Sequence, residues 1–490
     1  MATRHFSTLG LLAAASVLAL SYNAPAFAQA APDTGASTGI EEITVTATRR
    51  AEKIDKVPES ISAYSTEKMD TLGVKDFGDL AKYTPGVNYD PDSHDVSIRG
   101  VESDAGSATT GIYIDDTPIQ IRNLGFNAND TLPAIFDLDR VEILRGPQGT
   151  LFGAGSEGGT VRYITPQPSV TDYSEYARSE VSFTQDGAPS YELGGAVGGP
   201  IVDNTLGFRV SAWGRHDGGY VDQVNYASGA NEQSNTNNVN TYAVHGAITW
   251  EPDSHITITP GIYFQHRNQN NIDDYWTAIS DPSSGTFNTG TPEHMRDDDE
   301  FYMPTLKMDW DLGGVEVIAD SSFFKRKENV NGYSGTLYNL SYFQQLVDAD
   351  QDPEGDTCTG GICAANAGHE TPLLLPTGLN LPGYPADYIS VATITNEQKN
   401  FTQEVRLQST DPNARFTWIL GGFFALDQQL SNEQINDPQL PALTQFLWGE
   451  GMKKAWDEKL LPNGDDYINH TDGHDRQLAG FANATFAITD

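Results

Sequence analysis

Tyr242-Ala243-Val244-His245-Gly246-Ala247-Ile248-Thr249-Trp250 sets one series at even positions against small or polar residues at odd ones. Successive side chains of a strand point to opposite faces, so this period of two predicts a strand with one apolar face. Leu206, Phe208, Val210 and Ala212 repeat it against Gly207, Arg209 and Ser211, as do Phe416, Trp418, Leu420, Gly422 and Phe424. Val315, Val317, Ala319 and Ser321 give a weaker copy. Segments of roughly 9 to 11 alternating residues joined by turns are the mark of a transmembrane β-barrel, one face to lipid and the other to a polar lumen. A secreted β-sandwich alternates as well. Link lengths favour the barrel. Short links such as Pro252-Asp253-Ser254 and Asp311-Leu312-Gly313-Gly314 alternate with long ones, about 267–300 and 327–398, and aromatics gather near strand ends as interface girdles do.

Totals alone would hide this. The 490 residues carry 67 acidic and 29 basic side chains, a net charge of −38, with mean hydropathy −0.43. Such an excess repels phosphates and argues against a nucleic-acid partner. Aromatic residues at 10% are too many for a disordered acidic tail. A net −29 falls in residues 171–490, much of it in the long links, for example Arg296-Asp297-Asp298-Asp299-Glu300 and Asp348 to Asp356. Solvation of loops accounts for it, and attraction of divalent cations near lipopolysaccharide or of a cationic ligand is the functional alternative.

The N-terminus reads as an address. Arg4 and His5 precede an apolar run from Leu9 to Leu20 and then Ala26-Phe27-Ala28, the pattern of a signal peptide cleaved after Ala28. Residues 29–40 are small and polar, and Glu41-Glu42-Ile43-Thr44-Val45-Thr46-Ala47 then alternates β-branched residues. With no hairpin partner beside it, Ile43 to Ala47 reads as a lone strand suited to pairing with another protein's sheet edge. Export also implies an oxidising compartment, where Cys358 and Cys363, separated by four residues that include two glycines, favour a local disulfide. No histidine pair or EF-hand spacing assigns a metal or a cofactor.

Residues 51–170 read as a compact mixed domain. Val57 to Tyr64 is extended, helices are expected over 66–72 and 76–82, and Thr84-Pro85-Gly86 closes the second. Strands are expected at Val96 to Gly100, Gly111 to Asp116, Arg140 to Pro147 and Val161 to Ile164. Gly153 to Gly158 fits the dinucleotide fingerprint G-x-G-x-x-G, but a strand ended by Pro166 follows where a helix is required. Gly35 to Gly39 spells G-x-S-x-G, yet it lies in the mobile tail without a strand before it, so no esterase site is assigned.

In family order the chain carries Ile43 to Ala47, Val57-Pro58-x-Ser60-Ile61, Asp79-Leu80 and Thr84-Pro85-Gly86-Val87. Ile98-Arg99-Gly100, Tyr113-Ile114-Asp115-Asp116 and Arg140-Val141-Glu142-x-Leu144-Arg145-Gly146-Pro147-x-Gly149-Thr150-Leu151-Phe152-Gly153 follow. This set resembles the plug domain of TonB-dependent outer-membrane receptors. The likeness extends into the wall through Leu206 to Val210, Asp217-Gly218-Gly219-Tyr220 and Gln403-Glu404-Val405-Arg406-Leu407.

The resemblance implies a mainly β fold: a transmembrane antiparallel β-barrel of 22 strands when complete, with a small α+β plug inside. Its parts would be a signal peptide at 1–28, a flexible N-terminus with TonB box at 29–50, the plug at 51–170 and a partial barrel at 171–490. It implies a receptor and not an enzyme, sited in the Gram-negative outer membrane among lipid and lipopolysaccharide. Such a receptor takes up a scarce small ligand, by default a ferric siderophore or similar metal chelate, using work delivered by TonB. Ile43, Thr44, Val45, Thr46 and Ala47 would bind TonB. Arg145 and Glu404 are the candidate pair for a charge lock between plug and barrel. Tyr89, His94, Arg122 and Phe126, on plug apices, are candidate ligand contacts. Residues 29–40 leave no room for an extra signalling domain. A passive porin and a secreted β-rich binding protein are the alternatives, but a porin lacks a plug and a TonB box. At roughly 25 to 30 residues per strand, residues 171–490 supply about 11 to 13 strands, half such a barrel, so the chain reads as a fragment.

Overall fold

Where the sequence alternates, the chain is extended. The computed structural model describes residues 43–488 except 92–93, 104–105, 121, 124–130, 154, 226–228, 278, 337–388, 412–413, 443–444 and 446–458. Ten strands form one antiparallel meander: Ser174–Phe183, Pro189–Val202, Leu206–Asp217, Val239–Asp253, Ile256–Gln269, Asp297–Asp311, Val315–Ser334, Val391–Ser409, Phe416–Asn436 and Asp465–Phe486. Ten is slightly fewer than the arithmetic expected, because the later strands are longer. Val315–Ser334 has 20 residues and Phe416–Asn436 has 21. At about 3.3 Å per residue each runs well over 60 Å, far beyond the apolar thickness of a bilayer.

The ends of two expected links are therefore wall. Asp297-Asp298-Asp299-Glu300, read from sequence as loop, opens the strand Asp297–Asp311, and residues 327–334 and 391–398 are paired strand. The run of acids misled because charge was taken as a loop signal. On a strand it splits by parity: Asp297 and Asp299 face the lumen and meet Arg267 and Arg326, while Asp298 and Glu300 face out.

Parity sorts the whole wall. Val244, Ile248, Trp250, Ile262, Leu306, Met308, Trp310, Val405 and Leu420 are exposed on its outer face. Arg209, Gln265, Arg326, Gln398, Glu404 and Arg406 are buried on its inner face. Burying roughly 25 cal/mol per Å² of apolar surface in lipid is what makes such an outer face stable.

At the end opposite the short turns, two long links fold into one lobe. Val221–Val224 pairs antiparallel with Asn231–Gln233 and parallel with Phe287–Thr289. The rings of Tyr220 and Tyr275 close on Phe287 at 5.4 and 5.0 Å. The Gln223 carboxamide donates to the carbonyls of Thr291 and Pro292 at 2.9 and 3.0 Å.

Inside the wall lies a second sheet, ordered Ile61–Ser65, Arg140–Arg145, Gly159–Ile164, Thr110–Ile114 and Thr117–Pro118, with one parallel junction between Gly159–Ile164 and Thr110–Ile114. Two short helices cover one face. In Thr66–Leu72 the Ser65 hydroxyl accepts from the Lys68 N–H at the start, and Gly73 stops the helix at φ 70°. Phe77–Tyr83 is capped by Asp76 and ends just before Thr84-Pro85-Gly86. Met69, Phe77 and Leu80 pack on Ile112, Ile114, Val141, Ile143, Val161 and Tyr163. That core continues into the wall through Tyr263, Phe301, Met303 and Phe324, so the inner domain is seated on apolar contacts as well as charges.

Replacing outward-facing Ile262 by Lys is expected to cost about 2–4 kcal/mol when the chain folds into lipid vesicles, measured by urea titration of tryptophan fluorescence. Replacing lumen-facing Thr259 by Ser is expected to change it by less than about 0.5 kcal/mol.

Candidate functional site

The segment Ile43 to Ala47 is not the lone strand that its sequence suggested. Thr44–Val45 pairs antiparallel with Glu52–Lys53 after a turn in which Arg49 takes φ 62°. Val45 and Ala47 are fully buried against Val57, Tyr113, Leu144, Leu151 and Phe152. A strand that alternates Ile, Val and Ala has one apolar face to hide, and here the inner domain hides it.

Thr46 is the latch. Its N–H donates to Glu142 Oε1 at 2.8 Å, and its hydroxyl accepts from Arg162 Nη1 at 2.7 Å and Arg140 Nη2 at 3.1 Å. Glu142, fully buried, also accepts from Arg140 Nε and Arg162 Nη1, both at 2.8 Å. Glu142 stands opposite Arg162 in the sheet register, which is why one carboxylate can take both cations.

Arg49 joins three bodies. Its guanidinium pairs with Asp116 of the inner sheet and reaches Glu404 of the wall at 3.5 Å. It also donates to the Leu151 carbonyl at 3.1 and 3.2 Å and lies 4.5 Å above the Phe152 ring. Asp116 takes Arg162 at 3.1 Å and the wall's Arg406 at 3.3 Å as well. Arg406 in turn meets Glu404 at 2.7 Å and Asp320 at 3.2 Å. Burial alone would raise the Asp116 carboxyl, but Arg406, Arg49 and Arg162 outweigh it and hold the group well below the usual carboxylate range. Arg50 extends the same contact, donating to the wall at the Trp418 carbonyl (2.6 Å) and the Ser409 hydroxyl (2.9 Å). A cavity of about 790 Å³ opens beside this junction, lined by Thr46, Arg49, Asp116, Arg162, Asp320 and Arg406.

Glu404 therefore sits at a junction between inner domain and wall, but Arg145 does not. Arg145 donates to the Pro85 carbonyl at 2.9 Å, beside the helices. The reason is parity: on Arg140–Arg145 the even positions Arg140, Glu142 and Leu144 face the N-terminal segment, and Arg145 shares the opposite face with Val141 and Ile143. The cation that faces Glu404 from the inner side is Arg49, two residues beyond the alternating segment, beside the wall's own Arg406, and the motif Tyr113-Ile114-Asp115-Asp116 supplied its acid.

A second seam, which sequence reasoning missed, joins the helices to the first three wall strands. Buried Glu192 takes Arg178 at 2.6 Å, Arg215 at 3.2 Å and Lys75 at 3.7 Å. Lys75 also meets Glu180 at 2.5 Å, and the Tyr176 hydroxyl donates to Asp70 at 3.0 Å. The signal was present as lumen-facing charges at period two.

At the far end, Val87–Tyr89 pairs with Val96–Ile98 and carries Tyr89 and His94, whose rings stack at 6.3 Å and 7°. Tyr89 also packs edge-on against Phe77 at 5.9 Å, so it is partly a core residue. Burial, then Arg267 and Arg326 of the wall, push the His94 imidazole down to about 3, which keeps it neutral. Arg122 lies in the two-residue strand Arg122–Asn123, paired with Gly106–Ser107. Phe126, Cys358 and Cys363 lie outside the described residues. Among the described residues no cluster of His, Cys, Asp and Glu is arranged to hold a metal ion.

A ten-stranded antiparallel wall around a small mixed domain, with its N-terminal segment latched beneath, is the architecture of a plug seated against part of a β-barrel wall. Residues 53–160 match the TonB-dependent Receptor Plug Domain family. The ferripyoverdine receptor of Pseudomonas aeruginosa is 31% identical over 173 residues, 34% of this chain and 20% of that protein. The ferrichrome outer membrane transporter/phage receptor of Escherichia coli K12 is 26% identical over 378 residues, 74% of this chain and 44% of that protein. Among solved structures, the ferric yersiniabactin uptake receptor of Yersinia pestis superposes with a TM-score of 0.57 at 15% identity, covering 88% of this chain and 62% of that one. The Pseudomonas aeruginosa ferripyoverdine receptor bound to ferripyoverdine gives 0.59 at 16%, covering 91% and 52%. The plug match covers residues 53–160, and the relatives matched here are receptors and transporters rather than enzymes. The chain spans less than half the length of these two curated relatives.

Two outcomes follow. Thr46→Val removes the hydroxyl that Arg140 and Arg162 share, and a spin label at Ile43 should become markedly more mobile while Thr46→Ser leaves it immobile. His94 is held neutral while its unfolded form titrates near the ordinary 6.5, so stability is full above that value and falls as pH drops from about 6.5 toward 3. His94→Gln should flatten that part of a denaturation-versus-pH profile.

Proposed function

We propose that this chain is the plug-bearing part of an energy-dependent outer-membrane receptor that takes up a scarce small ligand, with a ferric siderophore as the default. It is made with a signal peptide at 1–28 cleaved after Ala28, and is divided into an N-terminus with TonB box at 29–50, plug at 51–170 and barrel wall at 171–490. The short turns face the periplasm and the long links face outward. The observation that carries this reading is the latched segment: a strand-forming pentapeptide with Val45 and Ala47 buried, tied by Thr46 and Arg49 to the same charged junction that joins plug to wall.

The chemistry follows from that arrangement. An outer membrane holds no nucleotide supply or ion gradient of its own, so work must arrive mechanically from TonB. Main-chain pairing with Ile43 to Ala47 gives a directional grip that depends little on side chains. That grip needs the segment to leave its pairing with Glu52–Lys53, and the charged junction sets the cost. Ligand contact is assigned to Tyr89 and His94 at the opposite end, with Arg122 and Phe126 as further candidates, and relatives named for ferripyoverdine and ferrichrome support an iron chelate.

Val45→Pro removes the donor N–H of the strand and stiffens it. Expected is loss of energy-dependent uptake with ligand binding to whole cells retained, and wild-type uptake should stop with an uncoupler. Normal transport by the Pro variant would overturn the assignment of the segment. A deletion strain screened under iron limitation and on diverse carbon sources identifies the ligand class.

A further inference from the structure

A second cavity, of about 710 Å³, lies between the inner domain and the wall. It is bounded by Gln120, two residues before the apical Arg122, and by Arg49 and Glu404 of the charged junction. Its volume suits a small molecule. The wall side carries an arrangement that folding does not explain. Asn400, Asp427 and Asp475 stand directly opposite one another on three successive strands and form one lumen-facing row in this cavity. Opposed strands bring neighbouring Cα atoms of the row to about 4.5–5.5 Å, and like charges so placed destabilise a sheet. Nearby amides aim the two carboxylates: Gln429 Nε2 donates to Asp427 at 3.2 Å and Gln477 Nε2 to Asp475 at 3.4 Å.

The row is rich in acceptors and short of donors. Asn400 is 8% exposed, and among the described residues its Oδ1 has no hydrogen-bond donor. The same holds for Oε1 of buried Gln398, the next lumen-facing residue on that strand, whose Nε2 is spent on the Gln120 carbonyl at 3.2 Å. Buried acceptors left in this way are costly, and folded proteins rarely leave them. Nor do these strands bring a cation of their own. Phe416–Asn436 contains no Lys or Arg. On Asp465–Phe486 the one such residue is Arg476, which alternation turns outward over the Phe424 ring, 5.7 Å from its centre. Arg49 and Arg406, at the charged junction, are held by Asp116 and Glu404.

We infer that this cavity is a binding site for a protonated amine carried by the ligand. The ammonium group lies between Asp427 and Asp475, offsets their repulsion, and donates its N–H groups to them and to Asn400 Oδ1. Such charge-assisted bonds are the stronger kind. A water molecule could serve the amide oxygen but would leave two carboxylates facing each other. Phe423, in the same lining, gives the methylene arm of the amine an apolar surface. The inference rests on the receptor reading above and narrows its ligand. An iron chelate with a free ammonium group is selected over an anionic one.

The test uses the full chain recovered from outer membranes in mild detergent, with quenching of tryptophan fluorescence as readout. The probes are the Fe(III) complex of a linear trihydroxamate ending in a primary amine, its N-acetylated form, and an Fe(III) tris-catecholate. A metal-free linear triamine serves as competitor. The amine-bearing complex is expected to bind at least about tenfold more tightly than the acetylated one, and less so as salt rises. D427N/D475N removes that preference and leaves binding of the acetylated complex unchanged, while D427E/D475E keeps it. Equal binding of the amine-bearing and acetylated complexes, a preference that survives in the Asn pair, or tighter binding of the tris-catecholate overturns the site and leaves the receptor reading standing. Displacement of the chelate by an equal concentration of the triamine overturns the choice of a chelate. Should the Asn pair fail to fold, the comparison of probes on the unaltered chain decides. Binding of none of the three iron complexes refutes the iron-chelate reading itself, and the inference with it.

Discussion

Backbone groups in hydrocarbon have no water to bond to, so each N–H and C=O of a membrane-crossing strand has to find its partner on the next strand. Most of what this chain does with its residues follows from that constraint. Strands must lie side by side in one meander, which forces the period of two. The period gives every strand a lipid face and a lumen face, and it forces the lumen to be polar. A polar lumen can hold an inner domain only through groups that satisfy its own, which is why the plug is met by Glu192, Arg209, Glu404 and Arg406 as well as by the rings of Tyr263 and Phe301.

The two charged seams differ in what they hold. Glu192 gathers Arg178, Arg215 and Lys75 where the helices meet the first wall strands, and nothing of the N-terminal segment takes part. Asp116 gathers Arg49, Arg162 and Arg406, and there the N-terminal segment, the inner sheet and the wall share a single carboxylate. Removing one partner of a buried charge network commonly costs about 3–5 kcal/mol, because the others are left unpaired. Pulling Arg49 away therefore bears on both remaining pairs, while the Glu192 seam is untouched by it.

Much of the fold could be read from the residues in order. Alternation at 206–212, 242–250 and 416–424 lies within wall strands, and Ser65, Asp76 and Pro85 bound the two plug helices where their capping chemistry requires. What failed was whatever depended on parity or on distant partners. Asp297 to Glu300 was taken as a loop because four acids in a row look solvated, whereas a strand hands two of them to lumen arginines. Arg145 lies in a family-like motif, but its position on the strand turns it toward Pro85, and the inner-side cation at Glu404 comes from residue 49, some 350 positions away in sequence. Ile43 to Ala47 looked unpartnered only because its partner, Glu52–Lys53, is two residues long and too polar to announce itself as a strand.

The outer lobe has a consequence for change over time. Since Val221–Gln223 pairs in parallel with Phe287–Thr289, and Gln223 is held by the carbonyls of Thr291 and Pro292, the described parts of the two links behave as one mechanical body. Neither can lengthen, shift register or lose an aromatic ring without unseating the other. A change in one link thus calls for a matching change in the other, and a graft of one link from a relative would require its companion to come with it.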